Sequence, residues 1–357
     1  MTKIGVFPGK FLPPHRGHLT AILRAHALCD KLYVAVSERP IEDGQLCAEA
    51  GIRYVPGVLR QRWLAQELQG LGIDVVLIDE SNIAPFPDGW HDYAALVKQA
   101  VPAPIDLIFG GEESYRAGHN QHFAGIEYRV LDPLRSQWPI SGTEIRQTPY
   151  QHWDYIVSAA RPFFAKRVLI TGPESCGKTT LTHKLAKVFC TSWSSELGRQ
   201  YQIDEVGGNG DLFDLDDFNR IAHLQYEQDL EALKQANKVC FFDTDAVVTA
   251  FFSEVFLGTI ADRIPPYIDP CKYDLVIMLQ PTVPWVADGL RELGDSQVRQ
   301  QTASQLLAMY HAYGFATEQF LLVESPDYYE RLELCISAVT KLLQQGWRLL
   351  STGCQSA

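Results

Sequence analysis

Apolar runs of a few residues alternate along the chain with longer stretches whose apolar positions recur at helical spacing. In the first half the short runs are residues 3–7 (KIGVF), 31–36 (KLYVAV), 74–79 (DVVLID), 106–111 (DLIFGG) and 128–132 (YRVLD). Between them, GHLTAILRAHAL and VLRQRWLAQELQGL repeat their apolar residues every three or four positions, which predicts amphipathic helices. A run that is apolar throughout has no face to give to water. Such runs predict strands of a parallel sheet covered by helices on both sides. Residues 148–164 break the rhythm, and a second series then begins at 166–171 (KRVLIT) and continues at 238–245, 274–280 and 320–325. Long helical patterns such as LDDFNRIAHLQYEQDLEALKQA separate its members. The expectation is an α/β chain of two parallel-sheet domains, at 1–150 and 165–350, joined by a linker or helix at 151–164. No internal repeat links the halves, so they are two different domains. Each is expected to carry its site at the carboxyl ends of its strands.

Composition narrows the classes of partner. The 357 residues carry a formal net charge of −12, which argues against non-specific nucleic-acid or membrane binding but leaves room for small anions in a local basic pocket. Eight cysteines without CxxC pairs speak against a zinc ribbon or a disulfide scaffold and fit a reducing compartment. No signal-peptide core and no membrane-length apolar run is present, so the expected location is the cytoplasm, without membrane insertion. Homo-oligomer formation is left open.

The most specific motif is GPESCGKTT at 172–180, which satisfies G-x-x-x-x-G-K-[ST] through Gly172, Gly177, Lys178 and Thr179, with Thr180 following. It comes directly after an apolar run and opens a helical pattern, the order a P-loop requires. Backbone N–H groups of the loop and helix start surround a β-phosphate, the lysine neutralises charge, and the threonine hydroxyl binds Mg²⁺. Three further features favour phosphoryl transfer from ATP to a small acceptor. Asp243 and Asp245 end an apolar run in CFFDTD, as catalytic carboxylates, with Asp243 a Mg²⁺ ligand beside Thr179. Glu196 and Arg199 in SSELGRQY form a candidate acceptor-binding element, and Arg291 and Arg299 in a polar segment form a candidate lid over the phosphates. The blander readings are a turn for Asp243 and a solvated helix face for the arginines.

The other candidate site lies in GVFPGKFLPPHRGH, where Gly9, Lys10, His15, Gly17 and His18 follow the first apolar run. ISGTEIR at 140–146 adds Thr143, Arg146 and a helix start. Gly17 permits close backbone approach to a phosphate, and two imidazoles, a lysine and an arginine suit nucleotidyl transfer from ATP. That reaction needs positioning and charge neutralisation rather than a strong base, because the attacking phosphate is already ionised. A zinc site built on His15 and His18 would need further ligands that the neighbouring sequence does not offer.

H-x-G-H with IS-x-T-x-x-R resembles the HIGH-motif nucleotidyltransferases and implies a Rossmann-like N-terminal domain. The order GKFLPPHRGH, GGEESY, ISGTEIR, GPESCGKTTL, DTD, DGLR resembles the NadR-type bifunctional enzymes over nearly the whole chain. The resemblance implies a kinase domain that phosphorylates nicotinamide riboside with ATP and Mg²⁺. It also implies an adenylyltransferase domain that converts nicotinamide mononucleotide and ATP to NAD. On this resemblance His18 stabilises the transferring group, Lys10, His15, Thr143 and Arg146 hold ATP phosphates, and Asp243 or Asp245 assists the riboside hydroxyl or holds metal. Trp90 in FPDGWHDY is then a candidate to stack on the nicotinamide ring, with core packing as the competing role. Two departures stand out. Gly142 replaces a serine or threonine frequent in the family, which would cost a phosphate contact. With the first apolar run beginning at Lys3, the helix-turn-helix of some relatives is not expected here, and with the acidic charge no DNA binding is expected. Two other readings stay open: a kinase–nucleotidyltransferase fusion acting on another phosphorylated acceptor such as pantetheine phosphate, and a nucleotide-sensing module with one inactive domain.

Overall fold

The structure, a computed structural model, describes residues 2–132, 134, 136–284 and 296–345. Among the described residues the chain divides into two compact units, 2–161 and 162–345.

In the first unit, strands β1 (Ile4–Gly9), β2 (Lys31–Glu38), β3 (Asp74–Asp79), β4 (Leu107–Gly110) and β5 (Glu127–Val130) form one sheet in the order β3-β2-β1-β4-β5. Every pairing is parallel. Successive side chains of a strand face opposite sides of the sheet, and here both sides are cores. Val6, Ala35 and Ile108 pack on one face with Trp90, Tyr93 and Val97. Phe7, Val34, Val36 and Phe109 pack on the other with Ile22 and Leu64. That is why these strands read as unbroken apolar runs. Strand order reverses between β1 and β4, so the crevice beyond their carboxyl ends is where a ligand site is expected.

Residues 151–161, read from sequence as part of a connector, lie within this first unit. Trp153 and Ile156 are buried, Ile156 pairs in antiparallel fashion with His15, and the Val157 N–H donates to the Pro14 carbonyl. The segment braces the histidine loop.

The second unit repeats the architecture with β6 (Lys166–Thr171), β7 (Trp193–Ser194), β8 (Val239–Asp243), β9 (Leu275–Leu279) and β10 (Phe320–Val323), in the order β10-β9-β6-β8-β7. All of its pairings are parallel. Val168, Ile170, Phe241 and Ile277 face a core shared with Leu181, Leu185, Val339 and Leu342. No helix among the described residues is long and apolar enough to cross a membrane.

Candidate functional site

Each unit carries a cavity at the carboxyl ends of its strands. In the second unit it measures about 450 Å³ and is lined by Gly177, Lys178, Thr179, Glu196, Arg199 and Asp243. The loop leaving β6 turns through left-handed residues, with φ of 139° at Gly172 and 89° at Gly177. Only glycine is comfortable there, and a Cβ on Gly172 would come 2.4 Å from the Leu279 carbonyl oxygen. The helix Lys178–Val188 that follows has no side-chain cap and no acidic residue in its first turn. By contrast, the helices Leu215–Lys234, Ala246–Leu257 and Tyr328–Gln344 are each capped by an aspartate. The first N–H groups of Lys178–Val188 are thus left to an anionic ligand.

Lys178 donates to the Pro173 carbonyl at 3.1 Å. Burial works against its charge, but Cys176, Glu196, Asp243 and Glu174 around it outweigh this and hold its pKa above the ordinary lysine value. Asp243 is fully buried, and among the described residues its carboxylate oxygens make no well-formed hydrogen bond, the Thr179 hydroxyl being close but poorly placed for one. Burial raises its pKa to about 6, with Glu196 pushing the same way and Lys178, Thr179 and Arg199 opposing. Two orphaned oxygens beside the Thr179 hydroxyl are a hard-donor pair that fits a Mg²⁺ ion.

Asp245 is elsewhere. It does not line the cavity; its Oδ1 accepts from the Val247 and Val248 N–H groups as the cap of Ala246–Leu257, and from the Tyr310 hydroxyl at 2.8 Å. In a continuous strand, residues two apart share a face. Here Thr244, at φ 81°, breaks the strand between the two aspartates and sends them apart. Arg299, expected in a lid, is buried and does not line the cavity; it donates to the carbonyls of Val283 and Ser175. Arg291 lies outside the described residues.

Sequence reasoning missed the opposite wall, where Phe213, Phe218, Phe252 and Phe256 face the cavity. Phe252 and Phe256 are one helical turn apart, a spacing that also serves a core, and nothing in the pattern separates the two uses. It also missed Gln225, whose amide donates to the Ser195 carbonyl at 3.0 Å and accepts from the Leu197 N–H at 2.9 Å. Gln225 thereby clamps both sides of Glu196.

Because the folded pKa of Asp243 lies above the unfolded one, its contribution to stability is fully present below about pH 4 and is lost as the pH rises through the folded value. Asp243→Asn, without nucleotide or metal, is therefore expected to raise the thermal midpoint at pH 7 by about 2–6 °C and to lose that advantage near pH 4. Differential scanning calorimetry at the two pH values checks it.

The cavity of the first unit measures about 320 Å³, and Gly9, Lys10, His15, Gly17, His18, Ser141 and Gly142 are among its lining. The helix Arg16–His26 begins with a reciprocal cap made by two histidines. The Nδ1 of His15 accepts the His18 N–H at 3.4 Å, the Nδ1 of His18 accepts the His15 N–H at 3.3 Å, and the rings stack 3.6 Å apart. A neutral imidazole whose Nδ1 accepts carries its proton on Nε2. Both rings can therefore offer an Nε2–H donor. Lys10 reaches from the end of β1 to Asp43 at 3.0 Å and Glu42 at 3.4 Å. Asp43 is fully buried and also accepts from Arg60 at 2.7 Å, while Arg60 donates to the Lys10 carbonyl. This buried network fixes the backbone at Lys10 while its ammonium stays partly exposed.

Thr143 and Arg146 do not line the cavity. Arg146 is buried behind it, donating to the Leu12 carbonyl at 2.6 Å and to the Thr143 hydroxyl at 3.1 Å. Gly142 has a steric reason here. A Cβ would come 2.8 Å from the same Leu12 carbonyl oxygen, a backbone atom that cannot swing aside. Gly142→Ser is accordingly expected to lower activity at this site by about tenfold through displacement of the histidine loop, rather than to supply a missing hydroxyl; steady-state rates of adenylyl transfer check it.

Trp90 does not face the cavity either. It is 7% exposed, sits in the core with Tyr93 and Ile108, and stacks parallel to His122 at 6.3 Å. Gly118 approaches its indole so closely that a Cβ there would lie 2.2 Å away. Trp90 is a core residue. Trp138, missed from sequence, does line the cavity, held by a 2.9 Å bond to the Thr20 hydroxyl.

Known proteins resemble this chain over most of its length. A family described as an AAA domain matches residues 167–331. The trifunctional NAD biosynthesis/regulator protein NadR of Escherichia coli (strain K12) is 36% identical over 347 residues, covering 95% of this chain and 83% of its own. A crystal structure of a NadR protein in complex with NR superposes with a TM-score of 0.80 at 24% identity, covering 96% of each chain. Another, in complex with NAD and AMP-PNP, gives 0.78 at 24% identity, covering 96% of this chain and 97% of that one. The fold is thus shared from end to end, and on the identity and coverage of the first of these relatives the chain belongs to the NadR family of NAD biosynthesis/regulator proteins.

Proposed function

We propose that the chain makes NAD in two ATP-dependent steps, one in each unit. The observation that carries this reading is the pair of separate cavities, each at the carboxyl end of its own parallel sheet and each opening on a phosphate-binding element. The ligands bound in the related structures, NR in one and NAD with AMP-PNP in the other, support the choice of substrates.

In the second unit the 5′-hydroxyl of nicotinamide riboside attacks the γ-phosphorus of ATP. A new P–O bond forms to the riboside, the bond to ADP breaks, and the hydroxyl proton passes to a carboxylate. Glu196, fixed by Gln225, accepts and orients that hydroxyl. Lys178 and the uncapped amides of the loop hold the phosphates as charge shifts toward ADP. Thr179 and Asp243 would hold Mg²⁺, which neutralises phosphate charge. Arg199 and the phenylalanine wall hold the riboside.

In the first unit the phosphate of nicotinamide mononucleotide attacks the α-phosphorus of a second ATP, and pyrophosphate leaves with the electrons of the broken bond. His15 and His18 donate from Nε2 to the reacting phosphates. Lys10 turns from Asp43 to the phosphate chain, and Gly9 and Gly17 allow the close approach. Arg146 holds the Leu12 carbonyl and so shapes the loop from behind.

Supplying nicotinamide riboside, ATP and Mg²⁺, and separately a panel of phosphorylated acceptors with ATP, tests the reading. Mononucleotide and then dinucleotide are expected from the first mixture, and dinucleotide from nicotinamide mononucleotide but not from pantetheine phosphate in the second. A chain that binds nucleotide without turnover, or prefers another acceptor, would replace the proposal.

A further inference from the structure

Arg331 belongs to no motif, yet it is one of the most fully engaged side chains of the second unit. It lies in the helix Tyr328–Gln344 and is 2% exposed. Its Nε donates to the Ser325 carbonyl at 2.6 Å, and its Nη1 donates to the Cys176 carbonyl at 2.8 Å. Its Nη2 donates to the Gln280 carbonyl at 2.7 Å and the Thr282 hydroxyl at 2.6 Å. Every one of these acceptors is a carbonyl or a hydroxyl, and none is a carboxylate. Arg299 repeats the arrangement from the helix Ser296–Ala312, donating to the Val283 carbonyl at 3.1 Å and the Ser175 carbonyl at 3.4 Å.

The two carbonyls they hold inside the loop are consecutive, Ser175 and Cys176. In a trans peptide the C=O of one residue and the N–H of the next point in opposite directions. Pinning the Ser175 oxygen therefore aims the Cys176 N–H the other way, and pinning the Cys176 oxygen does the same for the Gly177 N–H. Cys176 and Gly177 both line the cavity. Two buried guanidinium groups bonded only to neutral acceptors also leave positive charge behind the loop, which an arriving polyphosphate would compensate.

We propose that Arg331, seconded by Arg299, is a positioning residue for the triphosphate: it grips the loop by its carbonyls and so presents the loop amides to ATP without touching ATP itself. The proposal rests on the reading of 172–179 as the ATP loop of the kinase site. It assigns Arg331 to ATP binding and not to acceptor binding.

The test uses the full chain with Arg331→Lys and Arg331→Met, measuring riboside phosphorylation with ATP and riboside varied in turn, and adenylyl transfer in the same preparation as a check on the rest of the chain. Lysine keeps the charge but cannot reach several carbonyls at once. The expected result is an ATP KM raised about tenfold in Arg331→Lys and more in Arg331→Met, with the riboside KM changed less than about twofold and adenylyl transfer unchanged. An ATP KM within about twofold of wild type in Arg331→Lys, or ATP and riboside KM values rising together, overturns it. If Arg331→Met fails to fold, Arg331→Lys decides. Lys178→Ala measured alongside separates the two levels. Lost phosphorylation there with a wild-type Arg331→Lys rejects only the clasp, whereas retained phosphorylation rejects the reading of the loop.

Discussion

Lys178→Ala is expected to lower riboside phosphorylation by about 10³-fold while leaving adenylyl transfer from nicotinamide mononucleotide within about twofold of wild type. The size follows from the environment. Lys178 is the charged group at the mouth of an uncapped helix, and three carboxylates, Glu174, Glu196 and Asp243, surround it. Removing it deletes the cation that meets the γ-phosphoryl charge and leaves those carboxylates to repel ATP. Separate assays of mononucleotide and dinucleotide formation measure both halves. A variant that is folded but silent in both reactions would contradict two independent sites.

His18→Ala is expected to do the reverse, lowering adenylyl transfer by about 10²–10³-fold with phosphorylation intact. Two losses combine. One Nε2–H donor to the reacting phosphates disappears, and so does the acceptor for the His15 N–H, half of the reciprocal cap. The two can be told apart by His18→Asn. Asparagine can still accept at the cap but does not reproduce the imidazole donor, so it should regain any lost thermal stability without regaining the rate.

The fold was legible in the sequence where physics acts locally. Strands buried on both faces must be apolar throughout, and β1, β2, β6 and β8 announced themselves for that reason. The loop at 172–177 was equally plain, because its glycines answer a backbone demand at Gly172 and Gly177. β7 spans only Trp193–Ser194, too short to leave a pattern. What could not be read were roles set by distant chain. Asp243 and Asp245 look alike in CFFDTD, and only the left-handed Thr244 between them makes one a cavity carboxylate and the other a helix cap. Trp90 stands in a polar stretch but is closed off by Gly118 and His122. Arg331 bonds to backbone oxygens and a threonine hydroxyl, partners that leave no complementary charge pattern to find. Residues 151–161 resemble a connector until the pairing of Ile156 with His15 is seen.

One isotope experiment reaches the centre of this account: nicotinamide riboside and Mg²⁺ with ATP labelled either at the α- or at the γ-phosphorus. If one unit transfers the γ-phosphoryl group and the other the adenylyl group, γ-label enters the mononucleotide and stays in the NAD formed from it, while α-label enters the dinucleotide and the by-product ADP but never the mononucleotide. Mononucleotide free of γ-label, or dinucleotide free of α-label, would contradict it.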